Sequence, residues 1–175
     1  MERLVNTIEK LLLSRIDGKR VLRYALYMFL SLLAQTMVLN RVRILGVCPM
    51  VLPAVAVAAG MFEGATWGSL FSLVMGIFAD MAFIENTVTF TVLFPALAFV
   101  SGFISQFFIN RRFFAFMGAA LGALLITGVV QMLHTAAMDV FTTGMIRTVV
   151  FQTLWALPFL PLAYWPEAKW IGQAA

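Results

Sequence analysis

The chain alternates long uncharged stretches with short clusters of charge. Six stretches free of Asp, Glu, Lys and Arg run over 24–40, 44–62, 64–79, 86–110, 113–138 and 148–166. Together they hold 122 of the 175 residues. A membrane-spanning helix needs about 20 mostly apolar residues. The pattern therefore predicts six spanning helices, at about 22–40, 47–62, 65–84, 88–109, 113–135 and 147–165. Span 2 is the shortest and carries Pro49 and Pro53 in its first turns, where proline is tolerated. It turns into span 3 around Glu63–Gly64. Met50–Phe62 and Leu121–Val130 are apolar on every face, unlike the alternating strands of a membrane β-barrel.

Residues 1–20 follow a different rhythm. Leu4, Val5, Ile8, Leu11, Leu12 and Ile16 recur with the helical period, and Asn6, Glu9, Lys10, Ser14 and Asp17 take the other side. This predicts an amphipathic helix lying in the headgroup plane. It is not a secretory leader, because the apolar run Leu11–Leu13 is far shorter than the 7–15 residues such a core requires. Gly18 can end the helix, and Lys19, Arg20 and Arg23 mark the start of the first span. The expected organisation is an interfacial helix over 1–20, a six-helix membrane domain over 21–166 and a short cytoplasmic tail over 167–175.

Composition removes the soluble alternatives. The chain is 62% hydrophobic and 11% charged, against about 45–50% and about 25% in soluble domains. The net charge of +4 therefore reads as a topology signal and not as a nucleic-acid footprint. With six spans, nine Lys and Arg residues fall on the side of the tails and three (Arg41, Arg43 and Arg147) on the other. This asymmetry predicts both termini in the cytoplasm. Tyr24, Trp67, Trp165 and Trp170 fall near the predicted inner boundary, as interfacial aromatics do. The single cysteine, Cys48, can form no intrachain disulfide.

Two sets of residues stand out from the apolar background. Gly60, Gly64, Gly68, Ser72 and Gly76 recur every four positions, a spacing that lets helix backbones approach closely in lipid. Gly118 and Gly122, with Ala115, form a second such set in span 5. Each set suits internal packing or a partner's helix. The other group is polar: Gln35, Asp80, Glu85, Gln131, His134 and Asp139, all within spans or at their predicted outer ends. Charge inside a membrane is costly and usually functional. Asp80 is flanked by apolar residues on both sides. Spans 3 and 5 run in the same direction, so Asp80 and His134 lie at similar depth and could form a carboxylate–imidazole pair.

Catalytic and cofactor signatures are missing from the sequence. There is no Gly-rich phosphate loop, no His-Glu-x-x-His and no Cys-x-x-Cys. With one histidine, a multi-histidine metal site is impossible. The expectation is a non-enzymatic protein without metal or cofactor. The middles of the spans also lack the acidic groups that a transporter's proton relay would need and the polar stripe that a channel would need.

The ordered features over about 20–165 resemble the bacterial rod-shape-determining protein MreD family. Span 1 ends in Leu33-Ala34-Gln35-Thr36, like that family's Leu-Gln-Thr signature. A short loop, Arg43-Ile44-Leu45-Gly46-Val47, leads to the proline-opened Pro49-Met50-Val51-Leu52. The Gly-rich stretch Gly60 to Gly68 runs into Gly76-Ile77-Phe78-Ala79-Asp80, similar to the family's Gly-x-x-x-Asp. Gly102 and Arg111-Arg112 fit span 4 and the basic loop after it. The N-terminal extension is longer than the family minimum, and Ala34 stands where the family has Leu.

The resemblance implies a multi-pass component of the bacterial cytoplasmic membrane that serves cell elongation. Its partners would be membrane lipids, an MreC-like periplasmic scaffold, the actin-like MreB, and the peptidoglycan polymerase and transpeptidase. It also implies a compact all-α bundle resembling the substrate-binding subunits of energy-coupling-factor transporters. Such a vitamin-binding subunit is the alternative function. It would need an outward pocket with converging polar groups and small-residue faces on span 1. Span 1 reads Tyr24-Ala25-Leu26-Tyr27-Met28-Phe29-Leu30 and has no such face. An adaptor needs lateral apolar surface, for which Phe29, Phe90, Phe94, Phe107, Phe108, Phe113, Phe114 and Phe116 are the candidates.

Overall fold

A computed structural model describes residues 18–42, 46–82, 88–107, 113–137 and 144–170. The chain forms α1 (Gly18–Leu33), which continues into a π-helical turn (Ala34–Leu39), then α2 (Leu52–Glu63), α3 (Ala65–Ala82) and α4 (Thr89–Phe107). After these come α5 (Phe113–Ala137) and α6 (Gly144–Ala156), which passes through a 3-10 turn (Leu157–Phe159) into α7 (Leu160–Trp170). No β-strand occurs among the described residues. The predicted interfacial helix lies outside the described residues up to Asp17. Gly18 opens α1, and α7 continues as far as Trp170, into the segment read as a tail.

Among the described residues, five helices are long and apolar enough to cross a membrane: Val21–Leu39, Ala65–Ala82, Thr89–Gln106, Phe113–Ala137 and Gly144–Pro166. The second predicted span differs. Helix α2 has 12 residues, about 18 Å of rise against a hydrocarbon core of about 30 Å. It starts at Leu52 and not near Val47. Pro49 thus precedes the helix, while Pro53 takes its first turn. Pro49 stays in the non-helical segment, and Pro53 is tolerated in the first turn because its missing N–H would have had no intrahelical acceptor there.

Helix α2 is the axis of the bundle. Every residue from Leu52 to Phe62 is buried, and α2 packs against α3, α4, α5 and α7. A helix that is apolar all round belongs in an interior, and this one is surrounded by its own chain. The outer helices instead turn large apolar side chains outward: Leu22 and Phe29 on α1, Phe78 on α3, Val92 on α4, Phe114 and Leu133 on α5. An apolar exterior of this extent is a surface for lipid or for other membrane helices.

Glycine permits the close packing of α2, α3 and α4. A Cβ on Gly68 would stand 2.5 Å from the Gly60 Cα, and one on Gly76 2.5 Å from the Phe90 carbonyl oxygen. One on Gly60 would overlap the Ala98 carbonyl oxygen, and one on Gly102 would meet the Ala65 nitrogen at 2.6 Å. Gly64 ends α2 with φ +88°, a conformation that lets the chain reverse at once into α3. The first glycine set is therefore internal packing. Nothing lies within 4 Å of a Cβ placed on Gly118 or Gly122, so these two glycines face open space, while Ala115 of the same set packs against the core.

Several aromatics take other places than the sequence suggested. Tyr24 is fully buried and stacks on Phe71 at 4.7 Å, so it is core and not an interfacial anchor. Phe90, Phe94 and Phe116 are buried too. Phe90 and Phe94 pack together on α4, and Phe116 meets Tyr164 of α7. Of the proposed lateral aromatic surface, Phe29 and Phe114 (86% exposed) are on the outside. Apolar periodicity cannot separate the two fates, because lipid and protein interior are equally apolar.

Candidate functional site

The polar groups gather at the end of the bundle opposite Gly18, where two side chains hold breaks in the helical scaffold. The first is Gln35. The π-helical turn places it inward, 4% exposed. Its Nε2 donates to the Pro49 carbonyl oxygen at 2.9 Å, and its Oε1 accepts from the Val51 N–H at 2.9 Å. Non-helical backbone at membrane depth survives only where its polar groups find partners. The Gln35 carboxamide supplies them for the non-helical segment that leads into α2. A π-helical turn is a rare device, often found at functional positions.

The second is Asp80, near the end of α3. Its Oδ1 accepts from the Phe90 N–H at 3.0 Å. Its Oδ2 accepts from the Thr91 N–H at 2.7 Å and from the Thr91 hydroxyl at 2.6 Å. These N–H groups belong to the first turn of α4, which has no intrahelical acceptors for them. A carboxylate there also meets the positive end of the helix dipole. No hydrogen bond or ion pair joins Asp80 to His134. The carboxylate's partners are two first-turn N–H groups of α4 and the Thr91 hydroxyl, which argues for an architectural role. Glu85 and Asp139 lie outside the described residues.

Between these brackets opens a small polar cleft of about 110 Å³. Gln35, Asn40, Cys48, Pro49, Met50, Phe90, Gln131 and Gln152 line it. Gln131 on α5 and Gln152 on α6 face it from antiparallel neighbours. The Gln131 Nε2 reaches the Met50 sulfur at 3.9 Å, a weak acceptor. Cys48 donates its thiol to the Asn40 carbonyl oxygen at 3.6 Å. No lining residue is charged. Deeper along α5 and α6, Thr127 and Thr153 turn their hydroxyls back onto their own helices, bonding Ala123 and Val149.

A larger cavity of about 230 Å³ lies between α1, α2 and α7. Its walls are largely apolar and include Leu30, Val55, Phe159 and Leu162. At one edge the Tyr27 hydroxyl donates to the Ala163 carbonyl oxygen at 2.8 Å, tying α1 to α7. Gln35 lines both cavities. No group of three or more His, Cys, Asp or Glu side chains that could hold a metal ion occurs among the described residues.

Of the residues singled out in the sequence, Gln35, Pro49 and Gln131 meet in or beside the cleft, and Asp80 stands behind it through Phe90. Gly60, Gly64, Gly68 and Gly76 serve packing. Gly118, Gly122 and half-buried His134 take no part in the site. Sequence reasoning missed Gln152, Asn40, Tyr27 and Thr91. Gln152 had a signal: it is a lone carboxamide in an apolar run, about as far after the 138–143 connection as Gln131 lies before it. Comparison with protein-family models, curated proteins and solved structures returned no match.

Proposed function

We propose that this chain is a non-enzymatic component of the bacterial cell-elongation machinery, an MreD-like adaptor in the cytoplasmic membrane. The observation that carries the reading is the ordered run from Gln35 through Pro49 and the glycines to Asp80. Those residues carry the family resemblance, and they are also the ones that clamp the bundle together. An adaptor requires a rigid body with apolar lateral surface. The fully enclosed α2 and the outward Leu, Val and Phe side chains of α1, α3, α4 and α5 support this role.

In this reading α2 counts as a sixth, shortened span, and both termini face the cytoplasm by the nine-to-three bias of basic residues. The cleft then faces the periplasm. An MreC-like scaffold, the actin-like MreB and the wall polymerase and transpeptidase are the partners. Depleting the protein in its rod-shaped host tests the proposal. Cells should round up and swell. Unchanged rods that instead lose uptake of one vitamin would replace this reading with the transporter-subunit alternative, which the carboxamide-lined cleft favours and the bulky span 1 disfavours.

A further inference from the structure

The polar cleft has more hydrogen-bonding capacity than the protein uses. Gln35 spends both ends of its carboxamide on Pro49 and Val51. Gln131 and Gln152 do not: one has a thioether at 3.9 Å, and the other has no partner among the described residues. Both are half-buried, on neighbouring helices, and face one space. Neither has an atom among the buried polar groups that lack a partner, so both carboxamides open onto the cleft and are free to take one there. Each offers one acceptor oxygen and two N–H donors.

We propose that this cleft is a binding site for a small uncharged amide. A ligand amide offers both a donor and an acceptor, which matches a pair of carboxamides. An ionic ligand would find no counter-charge on the walls, and burying an unpaired charge there is prohibitive. Met50 and Phe90 supply apolar surface for the rest of the molecule. About 110 Å³ leaves room for a ligand of roughly ten non-hydrogen atoms or fewer. The inference rests on the cleft's chemistry and not on the adaptor reading, so either can fail without the other.

Cys48, the single cysteine of the chain, lies in the cleft wall and serves as reporter. The full chain in lipid nanodiscs is treated with N-ethylmaleimide, and Cys48 modification is followed by mass spectrometry. Nicotinamide and acetamide are the neutral probes, and nicotinate is the charged counterpart of the first. Nicotinamide should slow modification by up to about tenfold near ten times its Kd, and nicotinate should leave the rate unchanged. Gln131→Leu and Gln152→Leu should each abolish protection while the unprotected rate and the helical circular dichroism stay as in the parent. The proposal is overturned if neither amide slows labelling, which makes the cleft a water-filled crevice. Equal protection by nicotinate, or protection that persists in both variants, overturns it as well.

Discussion

Asp80 holds Thr91 twice, by its backbone N–H at 2.7 Å and by its hydroxyl at 2.6 Å, both on Oδ2. The two residues lie on different helices, α3 and α4, joined by a short connection. One carboxylate thus fixes the angle at which α4 leaves α3. The same pair of helices meets at Gly76, against the Phe90 carbonyl. The polar clamp and the close approach occur within one turn of each other and stabilise the same crossing.

Removing the carboxylate should loosen that crossing. Asp80→Ala is expected to cost about 1–3 kcal/mol, the range for charged hydrogen bonds and lost helix caps. Asp80→Asn should fall between Ala and the parent, because it keeps one acceptor and turns a second N–H donor toward Thr91. Thermal unfolding in detergent, followed by tryptophan fluorescence, would rank the three. An Asp80→Ala protein as stable as the parent would refute the clamp.

The two glycine sets should respond in opposite ways. Gly60→Ala forces a methyl into the Ala98 carbonyl and is expected to destabilise by about 1–3 kcal/mol, as overpacking does. Gly118→Ala enters open space inside a helix and should stabilise by about 0.5–1 kcal/mol through helix propensity. Equal losses of stability in the two variants, measured in detergent, would show that α5 packs against something at Gly118.

Gln35 is expected to be irreplaceable by an apolar residue of similar size. Gln35→Leu leaves the Pro49 carbonyl and the Val51 N–H without partners at the start of α2. The loss should be about 2 kcal/mol or more. Gln35→Glu keeps an acceptor for Val51 and, when ionised, has no donor for Pro49, so it should be intermediate only under conditions that protonate it. Backbone hydrogen exchange at Val51 provides a direct readout. Slow exchange there in Gln35→Leu would contradict the clamp.

The charge bias makes a prediction about sidedness. Cys48 lies at the cleft end, which the nine-to-three distribution of Lys and Arg assigns to the outer face. A membrane-impermeant thiol reagent added to intact spheroplasts should label it. Labelling only after the cells are opened would invert the orientation.

In the sequence by itself, uncharged windows of spanning length, set off by clustered charge, were enough to read a helical chain with several helices able to cross a membrane. Among the described residues the six windows became five long helices and one of 12 residues. The sequence also singled out Gln35, Asp80 and the four-residue glycine spacing, since a polar or missing side chain in an apolar run needs a structural reason. Tertiary structure decided what those reasons were. Asp80 is bound to the start of α4 and not to His134, because the first-turn N–H groups of α4 and the Thr91 hydroxyl are the donors within its reach. Span 2 shrinks to a 12-residue axis, and Gln35, from another helix, bonds the non-helical chain before it. Tyr24 and Phe116 turn inward while Phe114 turns outward, a choice hydropathy cannot make when lipid and core are alike. The cleft needed the fold above all: Gln131 and Gln152 are 21 positions apart in sequence, and only the antiparallel packing of α5 and α6 brings their carboxamides to one space.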